Sequence, residues 1–195
     1  MIALGIESTA HTFGVGIVSK KKVLVNLREA YTTEKGGIIP IEAAEHHKKI
    51  AMKLVKEAIE LFKRENKGKI DLVVYSRGPG IGPWLHVGKN TAKELGESLE
   101  VPVIGINHCV AHLSVGSLVT STKDPVLLYA SGANTQVIAY EGGKYRVFGE
   151  TLDQGIGNFI DAFARHIGLG FPGGPKIEVL AKKSKNYVEL PYSVK

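Results

Sequence analysis

Hydrophobic residues near the start of the chain fall in short runs that predict β-strands separated by tight turns. Ile2–Ile6 and Phe13–Val18 are apolar, and the segment between them, Ser8–Thr12, is small and polar. A second turn at Lys20–Lys22 leads into the apolar run Val23–Val25. Short apolar runs bounded by turn residues are typical of strands. The first thirty residues therefore predict a unit of strand, turn, strand, turn and strand.

The same plan recurs later in the chain. Val126–Tyr129 and Val137–Tyr140 flank a small polar turn at Ser131–Thr135, and a further turn leads into Tyr145–Phe148. When the two units are aligned, the turns match at three positions: Ser8 with Ser131, Ala10 with Ala133 and Thr12 with Thr135.

This repeat predicts two lobes built on one pattern, with both polar turns facing a shared cleft. We place the first lobe at residues 1–120 and the beginning of the second at 121–195, with a junction near 118–125.

Between and after these units, helices alternate with strands. Helices are predicted over 42–65, 84–98, 153–167 and 176–183, and strands over Ile70–Ser76 and Val101–Ile106. The apolar stripe of the first helix is predicted to be Ala43, His47, Ile50, Ala51, Leu54, Ala58, Leu61 and Phe62. The loop Gly78–Pro83 is predicted to exclude a helix. Trp84 is predicted to anchor the packing, and the alternation of elements predicts an α/β fold.

Composition narrows the function classes. The chain has 195 residues and one cysteine, so no internal disulfide forms, which predicts a reducing, cytoplasmic location. No apolar run approaches the roughly 20 residues that span a bilayer, and the opening MIALGIEST lacks a basic signal-peptide region. The net charge of +6 is compatible with a polyanionic partner without requiring one.

Two histidines four residues apart form the first candidate site. Asn107 is a suitable N-cap for a helix that carries His108 and His112 on one face, where both imidazoles can bind one metal ion. The alternative is a pair of histidines hydrogen-bonded locally, and the spacing alone does not separate the two. A metallopeptidase is a weaker interpretation, because Cys109 stands where HExxH has its glutamate.

The polar turns form the second candidate site. Ser131–Thr135 contains Gly132 and several hydrogen-bond donors, so it can hold a phosphate through backbone N–H groups, or it is an ordinary hairpin loop. Glu7 and His11 flank the matching first turn. Each is a candidate base or a contact of a metal-bound water, or a surface residue without such a role.

A third candidate lies in the loop from Gly168 to Pro175, whose glycines permit close approach of backbone to a ligand. Asp161 on the preceding helix and Glu178 on the following one are suited to accept a ribose hydroxyl. Both are equally compatible with ordinary acids on a helix surface.

Seven segments together resemble the TsaD/Kae family, formerly called O-sialoglycoprotein endopeptidases, in its archaeal and eukaryotic branch. The likeness spans the whole chain. The segments are GIESTAHTFGVGIV, TTEKGGIIPIEAAEHH, RGPGIGP, NHCVAH, YASGANTQV, FGETLDQGIGNFIDAFARHIGLGFPGGPKIE and LPYSVK.

The resemblance implies an actin-like, sugar-kinase-like ATPase fold, here the first lobe and the start of the second. It also implies transfer of a threonylcarbamoyl group from threonylcarbamoyl-AMP to the adenosine 3′ of the anticodon in tRNA. One divalent metal, iron or zinc with magnesium as the alternative, is then expected on His108, His112 and Tyr129. ATP, AMP or the adenylate is expected to contact Tyr129, Ala130, Ser131, Gly132, Ala133, Asp161, Gly174 and Glu178.

Members of this family continue well past the segment that resembles LPYSVK, whereas this chain ends at Lys195. We therefore expect either a truncated chain or a requirement for a separate C-terminal half; the missing part would supply the rest of the second lobe and a fourth metal ligand. The resemblance also implies KEOPS-type partners, namely a RIO-like kinase and a dimerising subunit. A non-catalytic scaffold in such a complex is thus the alternative function.

Overall fold

The computed structural model describes residues 1–20, 22–34, 37–65 and 68–191. Its elements follow in this order: β1 (Ile2–Glu7), β2 (Thr12–Ser19), β3 (Lys22–Ala30), α1 (Pro40–Glu65), β4 (Leu72–Gly78), α2 (Gly82–Leu99), β5 (Val103–Asn107), α3 (His108–Thr120), β6 (Leu127–Ala130), β7 (Thr135–Glu141), β8 (Lys144–Glu150), α4 (Ile156–His166) and α5 (Gly174–Lys183). Parts of the predicted features lie outside the described residues: Lys21 of the second turn, Lys35 and Gly36 of the second motif, and 192–195 of the last.

The first sheet is mixed and has the strand order β3–β2–β1–β4–β5. β1, β2 and β3 pair antiparallel, so the first hairpin unit forms as predicted. β1, β4 and β5 are parallel neighbours, and α1 and α2 lie in the crossover connections that parallel strands require. The α/β class is therefore confirmed. The carboxyl ends of three parallel strands share one edge of this sheet.

The main core lies between this sheet and the first two helices. α1 packs on β2 and β3, and α2 packs on β4 and α1. Most of the predicted stripe of α1 is buried, namely Ala43, His47, Ala51, Leu54, Ala58 and Phe62, together with Val55. Ile50 and Leu61 are partly buried at its margin.

The second sheet repeats the plan of the first hairpin unit in the antiparallel order β6–β7–β8. A smaller apolar cluster ties it to α3 and consists of Cys109, Leu113, Tyr129 and Ile138. α3 starts directly after β5, so this helix links the parallel edge of the first sheet to the second sheet.

Four helices begin two or three residues from their predicted starts: α1, α2 and α5 begin two residues earlier, and α4 begins at Ile156 rather than at 153. Asn107 accepts a hydrogen bond from the backbone N–H of Val110 (3.2 Å) and caps α3, as predicted. The prediction that no helix enters Gly78–Pro83 is wrong, because α2 begins at Gly82 with Pro83 in its first turn. A proline at this position costs no intrahelical hydrogen bond, since the first N–H groups of a helix have no intrahelical partner.

Large apolar side chains remain open to solvent in the C-terminal part. Phe148, Phe159 and Phe163 are each more than half exposed, and Leu128 on β6 is 67% exposed. Exposed apolar side chains grouped in one region are typical of a surface that another segment or chain covers. Across the described residues, the structure contains no helix with the length and apolarity to cross a bilayer.

Candidate active site at the carboxyl ends of three parallel strands

Strand order brings together three side chains that are far apart in sequence. Glu7 ends β1, Ser76 lies near the end of β4, and His108 follows β5 directly. These strands are parallel neighbours, so their carboxyl ends meet at one edge, where α/β folds place ligands. The site therefore forms from topology rather than from one local motif.

Glu7 is the most heavily hydrogen-bonded side chain of the site. Its Oε1 accepts from the backbone N–H of Thr9 (2.8 Å) and from the Thr9 hydroxyl. Its Oε2 accepts from the Ser76 hydroxyl and from His108 Nδ1 (3.0 Å). Burial by itself raises the pKa of this carboxyl, but the bonds from His108, Ser76 and Thr9 outweigh it and lower the pKa to about 2.

The two histidines of α3 face one another through the same ring nitrogen. His112 Nε2 lies 3.2 Å from His108 Nε2. The ring of Tyr129, from β6, contacts both imidazoles, with centroid distances of 5.9 Å to His108 and 5.3 Å to His112. The rings of two histidines and one tyrosine therefore lie together where α3 meets the second sheet.

This donor set fits a metal ion. Nitrogens bound to one metal at about 2.0–2.1 Å lie about 2.9–3.4 Å apart for bond angles near 90–110°. The 3.2 Å between the two Nε2 atoms falls in that range. Among the described residues, no group of three or more His, Cys, Asp or Glu side chains is arranged to hold a metal. Two imidazoles alone do not complete a four-coordinate metal site, so further ligands would be needed.

Burial controls the protonation of two of these groups. Desolvation and the neighbouring His108 lower the pKa of His112, with Glu7 acting in the opposite direction. Burial raises the pKa of the Tyr129 hydroxyl, against a hydrogen bond to Ser131. His112 is thereby favoured in its neutral form, which has a free lone pair.

The second polar turn packs against the start of α4. The backbone N–H of Gly157 donates to Ser131 O (3.0 Å). A Cβ placed on Gly155 would lie 2.7 Å from Asn134 N, and one on Gly157 would lie 2.9 Å from Gly132 Cα. The glycines that disfavour a helix by propensity are therefore needed for this close approach. The arrangement places the N-terminal end of a helix dipole beside the turn.

The remaining predicted nucleotide contacts lie around the glycine-rich loop. Asp161 Oδ1 accepts from the backbone N–H groups of Gly173 (2.8 Å) and Gly174 (3.2 Å) and so holds the start of α5. Glu178, by contrast, is exposed and forms an ion pair with Lys182 at 2.5 Å. The structure thus occupies both acids with bonds inside the chain.

The first and last parts of the chain meet at this loop. The ring of His11 contacts that of Phe171, with centroids 5.1 Å apart. Thr33 N donates to Phe171 O at 3.0 Å. Burial lowers the pKa of His11, and the charge of Asp161 raises it in part. His11 is therefore held beside the loop.

Sequence reasoning missed two residues of the site, Thr9 and Ser76. Each has a hydroxyl that donates to Glu7. A signal was present for Ser76, because it ends a predicted strand, and the ends of neighbouring parallel strands meet. Nothing in the sequence alone ordered those strands.

The side chain of His47 supports the first polar turn, Ser8–Thr12, from the core. It is fully buried, as predicted for a packing histidine, and its Nε2 contacts His11 O at 3.1 Å. Its Nδ1 lies 3.2 Å from Ser8 Oγ. Burial lowers its pKa from the usual 6.5, partly opposed by the bond to His11.

We expect His47 to make the chain less stable in mild acid. Its folded-state pKa is lowered, so the unfolded chain takes up a proton first as pH falls below about 6.5. The contribution to stability is thus complete above about pH 6.5 and declines as pH falls towards the folded pKa. Urea unfolding of the wild type and of His47→Gln between pH 5 and 8 measures how the free energy of unfolding depends on pH. The variant should lose the part of this pH dependence that His47 causes. An identical pH dependence in both proteins would contradict the prediction.

Comparison with known proteins identifies the family of the chain. The sequence model of the family described as "TsaD: tRNA N6-adenosine threonylcarbamoyltransferase" matches residues 22–195. The chain belongs to this family. A TsaD relative named tRNA N6-adenosine threonylcarbamoyltransferase from Thermococcus sibiricus is 57% identical over the whole chain, and one from Thermococcus kodakarensis is 56% identical.

The chain spans only part of these TsaD relatives. It covers 60% of the Thermococcus sibiricus protein and 59% of the Thermococcus kodakarensis one. A relative from Methanocaldococcus jannaschii is named "Probable bifunctional tRNA threonylcarbamoyladenosine biosynthesis protein"; it is 53% identical, and the chain covers 36% of it.

A solved structure supports the fold alone. The ethanolamine utilization protein EutJ from Carboxydothermus hydrogenoformans matches with a TM-score of 0.51 at 13% identity, covering 94% of this chain and 62% of that one. At that identity, the likeness carries no functional argument.

Proposed function

We propose that this TsaD-family chain carries the metal and phosphate-binding half of a tRNA N6-adenosine threonylcarbamoyltransferase. The observation that carries the proposal is the pair of Nε2 atoms 3.2 Å apart beside Tyr129, at an edge of parallel strands. The proposal includes the two-lobed, actin-like fold, which the repeated hairpin unit supports.

His108, His112 and Tyr129 are the residues that would hold a divalent iron or zinc ion. Such an ion, when bound, supplies a Lewis acid for phosphoryl or acyl oxygens of an adenylate. The three side chains come from α3 and β6, which pack together through the cluster around Leu113. Because both elements are packed against each other, the three side chains are suited to orienting a reactant.

The second polar turn is the proposed place for the adenylate phosphate. Its backbone N–H groups at Gly132 and Ala133, and the N-terminal end of α4 beside them, favour negative charge. Asp161 fixes the start of α5 through two backbone N–H groups, and so shapes the neighbouring loop around Gly174. These groups would stabilise the charge that grows on the phosphate as AMP leaves.

The transfer itself forms one bond and breaks another. The N6 amine of the tRNA adenosine attacks the carbonyl carbon of the threonylcarbamoyl group, a C–N bond forms, and the bond from that carbon to the phosphate oxygen breaks. N6 loses one proton. We assign its acceptance to His11, whose pKa burial lowers, so that the imidazole is neutral at pH 7.

The rest of the second lobe is part of the proposal. The exposed apolar residues Phe148, Phe159 and Phe163 need a cover, and the Thermococcus relatives continue beyond the part matched here. We propose that a segment equivalent to that remainder completes the second lobe and supplies a fourth metal ligand. A cytoplasmic location and KEOPS-type partners remain predictions from the sequence.

A reconstituted transfer assay tests the proposal. The chain is mixed with the remaining C-terminal part of the Thermococcus sibiricus relative, unmodified tRNA and threonylcarbamoyl-AMP, and digested tRNA is analysed by mass spectrometry. We expect N6-threonylcarbamoyladenosine in the mixture. The full-length relative serves as the positive control.

The alternative scaffold function predicts a different result in the same assay. A stable complex with the C-terminal part that modifies no tRNA, while the full-length relative does, would favour a non-catalytic scaffold. A metallopeptidase is less well supported, because buried Cys109 occupies the place of the catalytic glutamate.

A further inference from the structure

We propose that Glu7 is a positioning residue that fixes the tautomer of His108, so that the lone pair of Nε2 points at the metal position. This inference rests on the proposed function, because it concerns the same site. It gives Glu7 a role different from that of a base, since the carboxylate acts through His108.

The hydrogen bonds of Glu7 define the orientation of its two oxygens. Oε1 accepts from the backbone N–H of Thr9, which can only donate, at 2.8 Å. Oε2 is left facing His108 Nδ1 at 3.0 Å. A carboxylate has no proton to offer, so His108 Nδ1 must carry the hydrogen.

The consequence appears on the other side of the imidazole. A neutral histidine with its proton on Nδ1 has a lone pair on Nε2, and that atom faces His112 Nε2 at 3.2 Å. Carboxylate partners of this kind orient metal-binding histidines in many proteins, and their loss lowers metal affinity about 10- to 100-fold. The carboxylate thus selects the tautomer that can bind a metal through Nε2.

The same bonds leave Glu7 poorly placed as a base. Thr9 supplies two donors to Oε1, while Ser76 and His108 each supply one to Oε2. A base needs a free lone pair within reach of the proton it accepts. Four donors on one carboxylate occupy the lone pairs of both oxygens.

Glu7→Gln tests the proposal directly, because glutamine has the shape of glutamate but carries an NH₂ group in place of one carboxylate oxygen. The backbone N–H of Thr9 requires an oxygen at the Oε1 position, so the NH₂ faces His108. His108 must then accept at Nδ1 and carry its proton on Nε2, where a metal would bind.

The experiment records ¹H–¹⁵N correlation spectra of the histidine rings in the metal-free chain, followed by zinc titration. We expect His108 to change from the Nδ1–H to the Nε2–H tautomer in Glu7→Gln, and zinc affinity to fall about 10- to 100-fold. An unchanged tautomer would overturn the proposal. A variant that fails to fold by circular dichroism is replaced by Glu7→Ala, which should lose the fixed Nδ1–H signal.

Asp71→Asn is the matched control. Asp71 accepts a hydrogen bond from the backbone N–H of Ile2 (2.7 Å), at the opposite end of β1 from Glu7. The Asp71→Asn substitution removes one charge but should leave both the His108 tautomer and the zinc affinity unchanged. If Asp71→Asn changed them as much as Glu7→Gln does, a specific role for Glu7 would be overturned. The tautomer is measured without tRNA or adenylate. A failed transfer assay would therefore count against the proposed function without deciding the role of Glu7.

Discussion

Replacing His108 and His112 together by alanine should remove divalent metal binding from this TsaD-family chain. The two Nε2 atoms lie 3.2 Å apart, so the double variant deletes two donors of the proposed site. The loss should exceed the roughly 100-fold that removal of an outer-shell partner costs. Zinc titration with a competing chromophoric chelator measures it, and the transfer assay should lose activity in parallel.

Two exposed histidines supply the control for this prediction. His86 on α2 and His166 at the end of α4 lie on the surface, so the double variant His86→Ala with His166→Ala removes the same number of imidazoles. It should bind zinc as the wild type does. If the His108→Ala, His112→Ala variant bound zinc as tightly as the wild type, the metal would bind elsewhere. Local hydrogen bonding would then explain why His108 and His112 lie close together.

Trp84→Ala should cause the largest loss of stability among single core changes. Its side chain is 1% exposed, and its Nε1 donates to Pro40 O at 2.7 Å. Deleting a buried aromatic side chain of this size costs about 3–5 kcal/mol. The vacated volume also adjoins His47, whose ring centroid is 5.9 Å from that of Trp84, so the support of the first polar turn weakens too. Guanidinium chloride unfolding measures the change.

Two further variants separate volume from hydrogen bonding. Trp84→Phe keeps much of the apolar volume but loses the Nε1 donor to Pro40 O, so its cost should be nearer the roughly 0.5–1.5 kcal/mol of one hydrogen bond. Tyr187→Ala removes an aromatic ring that is 90% exposed, and should change stability by about 0.5 kcal/mol or less. A Trp84→Ala variant as stable as Tyr187→Ala would contradict the packing role.

Local features of the site were predictable because their causes are local. The spacing of His108 and His112 and the cap at Asn107 depend only on residues within one helix. The packing role of His47 followed from its place on an apolar stripe, and the buried histidine confirms it. The start of α2 was predicted two residues late because proline was treated as excluded from a helix, although it is accepted at the first positions.

The environment of Glu7 was not predictable in the same way. Its partners Thr9, Ser76 and His108 come from a turn and from two other strands. Glu7 and His108 are separated by 101 positions in the chain. A carboxylate beside a polar turn is compatible with a base, a ligand or a surface group, and only its bonding partners separate these roles.

The sequence by itself determined the alternating elements, the repeated hairpin unit and the family of this chain, since periodicity, turn residues and motifs are properties of the linear order. The tertiary structure decided which residues meet. The order β1–β4–β5 sets Glu7 and Ser76 beside His108, and the packing of α3 on β6 brings Tyr129 to the histidines. The physical reason is that strand order and helix packing depend on burial summed over the whole core, which no single segment encodes.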